Sequence, residues 1–118
     1  MVSLHDIADA ALSRDSLRLR SLTQDLLREW SALVELPRPM VADDRHLIVA
    51  AAIVELLAER TGQSAPSWTS SAGELADPFF LVAAAERMSG LRTLCERESP
   101  EPLRKRRLFA PPTFLTWA

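Results

Sequence analysis

The sequence predicts an all-α protein, and three observations carry that prediction. Glycine occurs only as Gly62, Gly73 and Gly90, and β-branched residues never form an alternating run, so strands are not expected. Apolar residues recur at helical spacing along most of the chain. Asp-Pro and Ser-Pro pairs, which suit helix starts, separate the later segments. The expected architecture is a compact bundle of five to six helices around a central apolar helix at about 43–61.

Leu4, Ile7, Ala8 and Ala11 follow i, i+3, i+4, i+7 spacing and predict a short first helix. Ser13 is a plausible N-cap for a second helix over roughly 14–34. Its apolar stripe is Leu19, Leu22, Leu26, Trp30 and Leu33, and its polar face carries Arg14, Arg18, Ser21, Asp25 and Arg28. Pro37 and Pro39 end it. The central helix starts at Asp43 or Asp44, whose charges complement the positive helix terminus, and ends at Gly62. Its Leu47–Val54 stretch is apolar all round, which predicts burial on most sides, with alanines that let neighbouring helices approach closely.

Residues 63–76 read as a polar loop in which Trp68 plugs the core. Asp77-Pro78 predicts a fourth helix to about Met88, broken by Ser89-Gly90, and Leu91–Glu98 a fifth. Ser99-Pro100 repeats the signal for a short sixth helix at about 100–107. The tail from Leu108 to Ala118 contains Pro111-Pro112 and is expected to be extended or turned.

The 118 residues fit one domain, 1–118, with 108–118 as its tail. The composition, 47% hydrophobic and 25% charged, is ordinary for a globular chain, so neither metal nor disulfide is needed for folding. With Cys95 alone no internal disulfide is possible. No signal peptide is evident, and the longest apolar run, eight residues, is far short of the ~20 of a membrane span. The expected location is the cytoplasm, with no membrane association. A net charge of −2 gives no global field for nucleic acid. The charge is uneven, however: residues 89–118 hold six basic and three acidic side chains, and the rest of the chain is net acidic.

No catalytic constellation is visible, and no cofactor is expected. His5 and His46 are the only histidines, His5 being expected to be exposed. A metal site from Asp43, Asp44 and His46 is disfavoured, because adjacent helical residues point about 100° apart. Cys95 lacks an evident base and reads as a buried thiol. Glu55 and Glu59, spaced i, i+4, read as a solvated edge of the central helix. The Arg-x4–6-His spacing of all-helical HEPN-type ribonucleases is not present, and neither is a glycine-rich phosphate loop.

The sharpest local feature is Arg104-Lys105-Arg106-Arg107. It suits phosphate or carboxylate recognition, or internal neutralisation by Glu96, Glu98 and Glu101. The tail after it holds Phe109, Phe114 and Trp117, which either fold back on the core or pack against another chain.

Several segments together resemble a family of short, uncharacterised helical bacterial proteins. They are Leu56–Gly62, Ala65-Pro66-Ser67-Trp68-Thr69, Leu75-Ala76-Asp77-Pro78-Phe79-Phe80 and Glu98–Phe109, within residues 45–116. The pattern is a helix ending in Gly, a Pro-x-Trp loop, an Asp-Pro-aromatic helix start, and a Glu-Ser-Pro turn into an arginine-rich stretch. A related segment is similar to the C-terminal part of some helix-turn-helix antitoxins; the DNA-reading helix-turn-helix of the longer members is not evident here. The resemblance implies a non-catalytic, antitoxin-like or accessory subunit that binds a protein encoded by a neighbouring gene.

The expected partner-binding residues are Arg92, Arg104, Lys105, Arg106, Arg107, Phe109, Phe114 and Trp117. A homo-oligomer is possible. The alternative is a nucleic-acid-binding regulator using Arg92, Arg97 and Arg104–Arg107.

Overall fold

The computed structural model describes residues 2–41 and 43–116, and these form a compact, mostly helical structure. Helices α1 (Leu4–Leu12), α2 (Ser16–Glu29) and α3 (Asp44–Arg60) occupy the first half of the chain. The second half holds α4 (Ser89–Glu98), the single turn α5 (Glu101–Arg104), and two-residue strands β1 (Phe79–Phe80) and β2 (Leu108–Phe109). Short 3-10 turns span Leu33–Glu35, Ser67–Ser71 and Ala83–Glu86.

Helix α3 is central, as its composition predicts: every residue from Leu47 to Val54 is buried. Asp43 caps it, accepting the His46 N–H at 2.7 Å. Helix α1 packs on it, and its small residues Ala8, Ala10 and Ala11 are buried with the alanines Ala50 and Ala52 of α3 in one apolar core. That core also takes Leu19, Leu26, Leu33 and Leu36, and from the distant half Leu75, Leu81, Leu103, Leu108 and Leu115.

Two helix ends share one geometry. After α3, Gly62 adopts a left-handed φ of 69°. Its N–H donates to Glu59 O at 3.3 Å, and the Gln63 N–H donates to Ala58 O at 2.8 Å. After α1, Arg14 does the same at φ 56°, with Arg14 N–H to Ala11 O at 3.1 Å and Asp15 N–H to Ala10 O at 3.0 Å. Both are Schellman endings; glycine suits the first, and at the second Arg14 takes the left-handed conformation at the steric cost of its Cβ. Asp15 at once caps α2, accepting the Arg18 N–H at 3.1 Å, so α2 begins at Ser16 and Ser13 closes α1 instead.

The second half departs from the sequence expectation. The helix expected over 77–88 is absent: Phe79 and Phe80 are extended and pair in parallel with Leu108 and Phe109. The Phe79 N–H donates to Arg107 O at 2.9 Å, and the Leu81 N–H to Phe109 O at 2.8 Å. A partner strand about thirty positions away thus takes the donors that a local helix would have used. The helix expected at about 100–107 stops after one turn, because Arg107 turns left-handed (φ 64°) and feeds the chain into β2. A smaller cluster of Phe80, Ala85 and Cys95, with Val82, Leu91 and Phe109 against it, packs beneath α4.

Trp68 only half-plugs the core. Its ring is partly buried against the main cluster, and its Nε1–H donates to Leu36 O at 2.8 Å.

Candidate functional site

The basic run does not stand out as one surface. Its four side chains go to different places, because α5 ends inside it and successive residues point in different directions. Arg106 is 3% exposed. Its guanidinium donates to Glu55 Oε1 at 2.9 and 3.2 Å, to Thr69 O at 2.7 Å and to Gly73 O. Lys105 Nζ, half-exposed, lies 3.2 Å from the same Glu55 oxygen. Arg107 is exposed, donates to Ala76 O at 2.7 Å and reaches Glu74 at 3.9 Å. Arg104 is exposed and donates to Arg97 O at 3.2 Å, at the carbonyl end of α4 where a cation is favoured.

Glu55 is therefore no solvated edge residue. Its side chain is only 12% exposed and serves two cations. Burial raises its pKa, but the Arg106 hydrogen bond and charge, with Lys105, outweigh burial and hold it below the usual range. The internal counterparts of the run are Glu55 and Glu74, not Glu96, Glu98 and Glu101; Glu96 pairs instead with Arg92 at 3.2 Å.

The tail folds back on the core. Leu108, Ala110 and Leu115 are buried, Phe114 is half-buried on the main cluster, and Arg60 donates to Pro112 O at 2.8 Å and Phe114 O at 3.1 Å. Phe109 packs 5.4 Å from the Phe80 ring. Trp117 lies outside the described residues. Of the residues expected to meet a partner, Arg106 is thus committed inside, and Phe109 and Phe114 are largely so. Arg92, Arg104, Lys105 and Arg107 are exposed. Arg97, which the sequence assigns only to the nucleic-acid alternative, is an exposed cation whose side chain makes no hydrogen bond or ion pair among the described residues; its carbonyl accepts from Arg104.

At the opposite end of the charge range, His46 binds Asp43 through Nδ1 (2.9 and 3.0 Å) and approaches Asp9 through Nε2 (3.6 Å). The exposed His5 stacks on it at 4.7 Å. The Arg18 hydrogen bond, and then the nearby His46 ring, hold Asp9 below the usual carboxylate range; the His46 backbone and ring do the same for Asp43. The arrangement ties α1 to the start of α3. Among the described residues, no three His, Cys, Asp or Glu side chains converge to hold a metal. Burial pushes the Cys95 thiol up, away from the thiolate a nucleophile needs.

The motif residues that carry the family resemblance all have structural work. Gly62 ends α3, Trp68 ties its loop to Leu36, and Phe79-Phe80 forms β1. The buried Ser99 hydroxyl reaches Cys95 O and lies 2.9 Å from both Ala110 O and Ala110 N, joining the end of α4 to the tail. Together these features define a compact helical protein in whose arginine run Arg106 is an internal brace and Arg104, Lys105 and Arg107 are exposed. No family model, curated protein or solved structure matches the chain.

Proposed function

We propose that this chain is a non-catalytic protein-binding subunit, working in the cytoplasm, that uses the exposed cations around the end of α4 and α5. The observation that supports it is charge left over. Lys105, Arg106 and Arg107 find internal carboxylates, whereas Arg97 and Arg104 find none among the described residues and are both exposed, with Arg104 bonded to the Arg97 carbonyl. Adjacent unpaired cations are mildly unfavourable alone and gain most from an acidic counterpart. The resemblance to antitoxin C-terminal segments makes the product of an adjacent gene, as in a toxin–antitoxin cassette, the partner to try first.

The test is co-purification of the chain with that product, for the parent and for Arg97→Glu/Arg104→Glu. Both side chains are exposed, so the variant should melt close to the parent yet lose the partner. Retention at the parent's level overturns the proposal. The same surface suggests the rival, nucleic-acid contact. A steep linear fall of log affinity for duplex DNA with log salt, removed by the same variant, would establish that reading instead.

A further inference from the structure

On another face, a cleft of about 600 Å3 runs between the start of α3 and residues 74–79. Its floor is apolar, from Ile48, Leu75 and Phe79, and its rim carries Asp44, Glu74 and Asp77. All three carboxylates are exposed. Asp44 and Asp77 make no ion pair among the described residues, and Glu74 has only the long approach of Arg107. The one cation lining the cleft, Arg45, makes no salt bridge among the described residues; its guanidinium carbon instead lies 5.0 Å from the Phe79 ring centroid. Arg14 sits 4.8 Å from the same centroid. The cleft therefore already seats a guanidinium of the chain's own on an aromatic ring, with the unpaired Asp44 and Asp77 on its rim.

We propose that this cleft docks an arginine-bearing segment of a partner protein, with the partner's guanidinium taking the place of Arg45 over Phe79 and its flanking backbone lying along the acidic rim. Charge complementarity selects the occupant: with Glu74 approached by Arg107, the unpaired Asp44 and Asp77 against the one displaceable Arg45 leave the rim net acidic and favour a cation. The planar stacking seat favours guanidinium over ammonium. The internal arginines build the wall. Leu75 N–H donates to Arg106 O at 3.0 Å, and Arg107 holds Ala76 O, so the acidic rim is fixed before any ligand arrives. This goes beyond the basic face at α4–α5 and does not rest on it.

The probes are an acetylated Ala-Arg-Ala-Arg-Ala peptide, its lysine counterpart and spermidine, followed by backbone-amide NMR at low salt. The arginine peptide should shift amides at 44–48 and 74–79 and bind at least threefold tighter than the lysine peptide. Asp44→Asn/Asp77→Asn should weaken it at least tenfold while melting like the parent. Arg45→Gln should tighten it several-fold, and more for arginine than for lysine, because the seat is vacated and not only made more negative. Shifts centred on Glu96–Glu101, equal affinity for both peptides, spermidine binding as tightly as the arginine peptide, or indifference to the double variant would each overturn the proposal.

Discussion

Residues 4–60 and residues 65–116 satisfy their backbones in opposite ways. In the first part three helices bond their own carbonyls, and stability comes from burying apolar faces of α1 and α3 against each other. In the second, regular structure is scarce, and side chains do what helices do elsewhere. Arg14 donates to Phe80 O at 2.9 Å, Arg60 to Pro112 and Phe114, Arg104 to Arg97, Arg106 to Thr69 and Gly73, and Arg107 to Ala76. Carbonyls outside helices and strands lack a regular backbone donor, and a guanidinium offers five N–H donors from one residue. The difference teaches that a positive run can be a framework element when it lies next to irregular chain.

The comparison is broken first by putting charge where only packing operates. Ala51 is fully buried in α3, so Ala51→Asp should cost several kcal/mol, on the order of 4, enough to leave little folded protein. A urea midpoint near the parent's would show that α3 is not the centre of the core.

The matching attack on the second part is Arg106→Met. It strands Glu55 and the Thr69 and Gly73 carbonyls, so a loss of about 3–5 kcal/mol is expected, somewhat less if Lys105 moves in. Adding Glu55→Leu should recover much of it. A double-mutant cycle with no coupling would refute the brace. Glu55 also sets a pH signature. Its carboxyl is depressed in the fold, so its contribution is complete at neutral pH and is lost as pH falls through the folded value. Asp9 and Asp43 act in the same direction, both being lowered. Stability should therefore fall on acidification below about pH 4–5, where free carboxyls begin to protonate, and Glu55→Gln should flatten part of that slope.

Trp68 lies on the seam between the two parts. Because its ring is only partly buried, Trp68→Ala should cost about 1–3 kcal/mol, below the ~3–5 of a fully buried aromatic. A larger loss would mean the loop is anchored more deeply than its exposure shows. The smallest effect is expected at the helix ends. A Cβ on Gly62 meets nothing within 4 Å, so Gly62→Ala isolates the left-handed backbone cost of about 1 kcal/mol. Arg14→Gly should come out closer to neutral, since relief at φ 56° is offset by loss of the bonds to Phe80 and Glu86.

What could be read from the sequence follows the same division. Helices α1 and α3 were legible because every cue is local: Leu4-Ile7-Ala8-Ala11 spacing, the Asp43 cap, and Gly62 after the last turn. The end of α2 was placed too late because Trp30 breaks to extended backbone before the prolines are reached. Strand β1 was illegible because Asp77-Pro78 is a sound local helix start that loses to pairing with residues near 108. The carboxylates that meet the basic run were illegible for a similar reason. Four cations in a row look alike in sequence, and only the left-handed turn at Arg107 and the position of Glu55, 51 residues from Arg106, decide which one goes inside.

The burial of Cys95 makes it a clock for partial opening. It is the only thiol in the chain, and apart from it no residue of α4 is fully buried. Helix α4 therefore rests on a small cluster, and the free energy to lift it off should lie well below that of global unfolding. A thiol-specific reagent would react only from the lifted state. Its rate, compared with amide exchange in α3, would report how independently this flap breathes, and whether a partner bound beside Arg97 holds it shut.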